Sequence, residues 1–325
     1  MRSFALWFSK IDKNSTADKE VTVHINLWDK RQLSENKYCF DFGFLLEDIR
    51  DIENFFLYVP FNIDKTKIKD LGRIISNNKL VNAIFNENFT TTDGEPKRLI
   101  VNGNSDKQSF VIYDLDIDNQ IDLSSCRRSI STPGTIIKIK VNDIKPNKLF
   151  RYYFRIRIEV DCQEAYLIND EIKGTSIFSN EFTNTEVIDF RLNDIRSCGE
   201  NLREQFDKGS KFCILAVHYL ILRNANDIII HYGEQISSRM LENDLWKDYI
   251  DGANNNIIAY HIKRKAKKDK DGEIIEYVDD FSDLTRFQYQ KGNWTVLIKY
   301  IVAVIVLGAI GGVLGNIISN LLGVS

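Results

Sequence analysis

From Tyr300 to Gly315 the chain carries no charged or strongly polar side chain, and the first break is Asn316. Few folds accept such a run. A soluble core helix of this length normally shows a polar stripe, whereas a bilayer asks for an uninterrupted apolar surface. As a helix, residues 294–322 extend ~43 Å, enough to cross a ~30 Å hydrocarbon core with both ends in the headgroups. Trp294 and Tyr300 suit an interfacial aromatic belt, and the stem of Lys299 can snorkel to the same level. The expectation is one C-terminal transmembrane helix over 294–322.

Arg286, Lys291 and Lys299 precede the uncharged run that begins at Tyr300, and no Lys or Arg follows it. The positive-inside rule then places the N-terminal body in the cytoplasm and passes only a short tail across the membrane. At the other end, "MRSFALWFSKIDKN" offers a six-residue apolar run, too short for a signal-peptide core. The expected topology is single-pass and tail-anchored.

Within the apolar segment, small or polar residues recur in pairs. Gly308 is followed by Gly311-Gly312, Gly315-Asn316, Ser319-Asn320 and Gly323, with apolar pairs between them. At helical geometry they draw one narrow stripe. Gly308-x-x-x-Gly312 and Gly311-x-x-x-Gly315 let helix backbones approach closely, which promotes association where lipid supplies no hydrophobic drive. A repeat of four exceeds 3.6, so the stripe drifts in the sense of a right-handed crossing. Plain anchor, packed homo-oligomer and conducting assembly all fit the pattern. Asn316 lies ~25 Å beyond Lys299, close to the far interface, which restrains the conducting reading.

The remainder reads mainly as strands. "FALWFS", "EVTVHINLW", "KYCFDFGFLL" and "FFLYVPF" are rich in aromatic and β-branched residues separated by polar breaks. Ile137, Ile139 and Val141 alternate with Lys138, Lys140 and Asn142, the signature of a strand buried on one face. "KFCILAVHYLILR" is nearly continuously apolar and reads as a central strand. Ile68, Leu71, Ile74 and Ile75, then Leu80, Ala83 and Ile84, predict a helical insert near 64–86. Arg239 to Ile250 predicts a second helix, and Asp271-Gly272 a hairpin turn within 256–279. The predicted fold is mainly β: antiparallel sandwich or barrel-like lobes, α+β with a few short helices, plus the terminal helix. A polar, proline-bearing stretch at 142–148 divides the body into lobes 1–145 and 146–293.

Candidate sites are sparse. Lys263, Arg264, Lys265, Lys267 and Lys268 form a basic run that suits anion or lipid-headgroup contact, or a solvated hairpin tip. Nucleic acid is disfavoured, because aromatic interleaving is absent from the run and the net charge is −3. Arg155 and Arg157 in "FRYYFRIRI" fit either one face of a pocket for a phosphorylated ligand or a half-exposed strand. Asp114, Asp116 and Asp118 echo a calcium loop, but Asn119 replaces its glycine and Ser125 its bidentate glutamate. The five cysteines are dispersed, which suits reduced buried thiols rather than disulfides or zinc. No G-x-S-x-G, H-E-x-x-H, Walker-type or G-x-G-x-x-G signature is present, and the expectation is a non-enzyme without metal or cofactor.

At the level of architecture, a cytosolic β-rich module on one Gly-rich span resembles the membrane-tethered effectors of bacterial antiphage systems. That resemblance implies a body that senses a ligand or protein partner and a span that assembles to permeabilise the bilayer. The alternative is a passive membrane-anchored adaptor that recruits a cytosolic partner.

Overall fold

The computed structural model describes residues 3–30, 37–75, 77–94, 98–104, 107–127, 133–146, 148–172, 183–231, 235–250, 256–290 and 294–321. Its largest sheet has ten strands, in keeping with the many aromatic and β-branched segments. The centre of that sheet runs, neighbour to neighbour, Ile257–Lys265, Cys213–Asn224, Glu20–Asp29, Lys37–Leu46 and Tyr152–Asp161. Cys213–Asn224 and Glu20–Asp29 pair parallel, and the other three central pairings are antiparallel. Ile236–Met240 closes one edge, and Phe110–Tyr113, Arg98–Asn102 and Thr90–Gly94 extend the other. Strands from before and after residue 145 are interleaved in this one sheet.

Alternation along the central strands gives the sheet two different faces. One face is apolar: Val23, Phe42, Phe154, Val217 and Tyr219 belong to the main core. That core also takes side chains from a five-stranded sheet and a four-stranded sheet, through Phe8 and Ile139 on one and Phe190 and Phe287 on the other. Fully burying each such side chain contributes about 1.5–3 kcal/mol. The opposite face carries polar residues and is roofed by a second core, which includes Leu80, Val81, Trp246 and Tyr249.

The roof comes from two short elements. The helix Asn78–Phe85 starts where the Asn77 side chain accepts a hydrogen bond from the Leu80 N–H, and stops at Asn86, which is left-handed with φ 52°. Only Leu80, Ala83 and Ile84 of the expected helical insert lie on it; Ile68 instead pairs with Ile158 in a short strand. The expected helix over 239–250 is likewise shorter. Arg239 and Met240 belong to the edge strand, and the helix covers Asn243–Trp246. In both places sheet pairing won over apolar spacing.

Residues 267–276 form the expected small hairpin, with Gly272 at φ 88°, a conformation that suits glycine. The Asp269 side chain accepts from the N–H groups of Asp271 and Glu273 to hold the turn. The last element is the helix Trp294–Leu321. Its apolar part, Leu297–Leu321, is 25 residues long, sufficient to cross a membrane, and none of its most apolar stretch is buried inside the protein.

Candidate functional site

The polar face of the ten-stranded sheet gathers residues from five chain segments into rungs. In one rung, strand register aligns Lys263, His218, His24, Gly43 and Arg155. In the next, it aligns His261, Leu220, Asn26, Asp41 and Arg157. These are side chains that alternation would send to solvent, yet Arg155 and Arg157 are only 1% and 2% exposed. Phe85 accounts for part of the burial, meeting His24 edge-on at 5.4 Å and Tyr153 at 5.0 Å between ring centroids.

The Arg157 rung is neutral. Its guanidinium grips Asp41 with two bonds, Nε to Oδ1 at 2.7 Å and Nη2 to Oδ2 at 3.0 Å. Nη2 also donates to the Tyr249 carbonyl at 3.0 Å, and the Tyr249 hydroxyl donates to Asp41 Oδ2 at 2.8 Å. This is a bidentate pair with a further hydrogen bond on each partner, the arrangement that makes a buried ion pair tolerable.

The Arg155 rung is not neutral. Nη1 of Arg155 donates to the Tyr153 hydroxyl at 2.6 Å, the guanidinium lies 5.3 Å from the Tyr249 ring centroid, and Nε has no partner. Gly43 makes this arrangement possible. A Cβ there would sit 2.2 Å from the Tyr153 hydroxyl oxygen, so only glycine lets the phenol lie across the strand. His24 is buried beside it with Nδ1 unpartnered. Its ring is 4.8 Å from His218, which is 5.2 Å from His261, whose Nε2 is also without a partner.

Burial is the first cause holding all three imidazoles below their ordinary titration range. His218 and Arg155 add to it at His24, while Lys263 adds to it at His218 and His261. His218 is pushed down to about 3. The three rings are therefore neutral at pH 7, while Arg155 keeps its charge. At the outer end Lys263 is exposed, and burial together with Lys265 and Lys107 pulls its ammonium down. The rung thus leads from a charged surface group, through neutral histidines, to a buried cation.

The basic run is divided by strand alternation. Lys263 and Lys265 sit on the polar face, whereas Arg264 points the other way, donates to the Asp280 carbonyl at 3.1 Å and lies over Phe281. Lys267 is held by Glu276 at 2.6 Å, and Lys268 is exposed on the hairpin. The acidic stretch forms a capped turn: Asp116 accepts from the N–H groups of Asp118 and Asn119 at the start of Ile117–Gln120. Among the described residues no group of three His, Cys, Asp or Glu could hold a metal ion, and the five cysteines are thiols outside any disulfide.

A surface cleft of about 430 Å³ is lined by Asp189, Arg191, Asp194, Arg196 and Asp283. Its charges are turned on one another, with Arg191 bridging Asp189 at 2.8 Å and Asp194 at 3.2 Å.

On the terminal helix, a Cβ added at Gly308, Gly311, Gly312 or Gly315 would meet nothing within 4 Å. Asn316, Ser319 and Asn320 lie on the same helix, and Gly323 lies outside the described residues. Sequence reading placed Arg155 and Arg157 on one face but missed the histidines that share it. The available signal was the common parity of Thr22, His24 and Asn26 within an otherwise apolar strand. No protein-family model matches this chain, and no curated protein matches it either.

Proposed function

We propose that the protein is a membrane sensor or effector, anchored through its C-terminal helix. In this reading the β-rich body lies in the cytoplasm and takes up a ligand or partner, and the glycine-bearing helix associates with copies of itself. The observation that carries it is the 25-residue apolar helix, with none of its most apolar stretch buried inside the protein. Leaving that surface in water would cost about 25 cal/mol per Å² of apolar area, and lipid removes the cost. Open space beside Gly308, Gly311, Gly312 and Gly315 leaves room for a second backbone, and a repeated small-residue stripe is complementary to itself. Bilayer perturbation is the output that follows from the architectural likeness to antiphage effectors.

Reconstitution in dye-loaded liposomes tests this reading. Wild-type protein is expected to self-associate and release dye, and Gly311→Leu and Gly315→Leu to lose both. If association and leakage survive both substitutions, the helix is only an anchor. If an unrelated span preserves function in place of this one, the protein is a passive adaptor.

A further inference from the structure

We propose that the Arg155 rung is the binding site for a small ligand bearing a phosphoryl-type oxyanion. Three arginines are buried in the body to nearly the same degree, and they differ in what they face. Arg157 is closed by Asp41, and Arg223 by Asp29, Glu186 and Asp227 at 2.8–3.2 Å. Arg155 alone of the three has no carboxylate bonded to it among the described residues. Asp41 is the nearest acid on the neighbouring rung, and both of its oxygens are already used by Arg157 and Tyr249. Folded proteins seldom leave a desolvated cation in this state unless something else neutralises it.

The residues with unused hydrogen-bonding groups are aligned on one rung. Arg155 Nε and His24 Nδ1 are buried and unpartnered, the Tyr153 hydroxyl lies over Gly43, which separates them in the register, and the His218 ring lies tilted against His24 on its outer side. A guanidinium, imidazoles that can donate and a phenol match the several acceptor oxygens of a tetrahedral oxyanion. Lys263 marks the mouth, beside Lys107 and Glu87, which pair at 2.7 Å just beyond the end of the Asn78–Phe85 helix. Half-buried Phe85 covers His24 and Tyr153 at that end. Displacing this ring would uncover the His24 and Tyr153 side chains that it now covers. Entry of the anion would displace a ring at the end of the helix that roofs the sheet.

The inference names the ligand class for the sensor reading and rests on that reading only for its consequence at the membrane. It is tested with the full chain in nanodiscs, titrated with inorganic phosphate and separately with adenosine monophosphate, against chloride at matched ionic strength. The expected result is saturable binding of at least one of them, with imaging of the imidazole nitrogens by NMR showing shifts at His24 and His218. A preference for the nucleotide identifies a phosphate ester as the ligand, and a preference for phosphate identifies the free ion.

Arg155→Met is expected to weaken binding at least about tenfold, the loss typical of one charged hydrogen-bonded contact. Lys263→Met, on the surface and independent of the fold, is expected to weaken it less and to slow association. Absence of saturable binding by either probe, or equal binding in wild type and both variants, overturns the inference. That outcome leaves the membrane reading untouched. Binding at this rung without any change in dye release would overturn the sensor reading and leave the site standing.

Discussion

Arg155 and Arg157 stand two residues apart on one strand, face the same side of the sheet and are almost equally buried. Around Arg157 the chain supplies a bidentate carboxylate, a backbone carbonyl and a phenol. Around Arg155 it supplies a phenol and an aromatic face, with histidines in place of acids. Arg157 is a structural ion pair, since its partners account for its charge. Arg155 is a charge held in reserve. Burial alone does not distinguish the two arginines; the completeness of their pairing does.

The comparison can be broken most forcefully at Arg157. Replacing it with Met leaves Asp41 buried beside Tyr249 without its cation. Removing one partner of a buried pair costs about 3–5 kcal/mol. Chemical denaturation of the Arg157→Met variant should show a loss of that size, read from the transition midpoint at unchanged slope. A loss below ~1 kcal/mol would mean that Asp41 finds another partner or a proton, and that the two rungs are less distinct than their geometry.

Much of the fold was legible because strand signals are local. The alternation of Ile137 and Ile139 with Lys138 and Lys140 gave the strand Pro133–Lys140, and the apolar run around Leu220 gave a central strand. Errors arose where a long-range pairing overrode local spacing, as when Ile68 joined Ile158 and Arg239 joined Ala259. The terminal helix was legible in full as an element, since its composition alone sets its environment. The site was legible only in pieces. His24, Gly43, Arg155, His218 and Lys263 come from five strands, and register rather than sequence distance makes them neighbours. Nor does alternation reveal a roof: polar positions on a strand read as solvent-facing until Phe85 and Tyr249 cover them.

Titration offers a second, smaller handle on the same contrast. Imidazoles that are neutral when folded take up protons on unfolding at any pH between their buried and ordinary values, near 6.5 for the latter. The unfolded chain then holds more protons, so stability falls as pH drops below ~6.5, by up to about 1.4 kcal/mol per pH unit for each proton. His24 faces His218, Arg155, Tyr153 and Phe85; His218 faces Lys263, Lys265 and His261; His261 faces Lys263 and Arg239. Two acids oppose them. Burial pushes Asp70 up to about 7 and raises Asp227, so both favour the folded state as pH falls. His24 and His218 are held well below the window while Asp70 is raised above it, so the two imidazoles outweigh the one carboxyl, and the slope of stability against pH should be positive between about pH 5 and 6.5. In the double variant His24→Asn, His218→Asn that slope should vanish or reverse, as measured by thermal unfolding across the range. An unchanged slope would assign the pH dependence elsewhere and remove the neutral histidines from the rung's electrostatics.

The smallest effect is expected at Arg155 itself, and it is the one that sharpens the contrast most. Methionine follows the path of the arginine stem, keeps contact with the Tyr249 ring and removes a charge that no carboxylate compensates. Three interactions are lost: the bond to Tyr153, the attraction of the Tyr249 face and the pull of Asp41 from the next rung. Against them stands the recovered desolvation cost of a buried guanidinium, which is several kcal/mol after relaxation. The two sides are of similar size, so Arg155→Met should lie within about 1 kcal/mol of wild type where Arg157→Met loses several. A stability loss at Arg155 equal to that at Arg157 would show that the fold already compensates its charge. In that case the rung would be structural throughout, because a cation that the protein itself has neutralised holds nothing in reserve for a ligand.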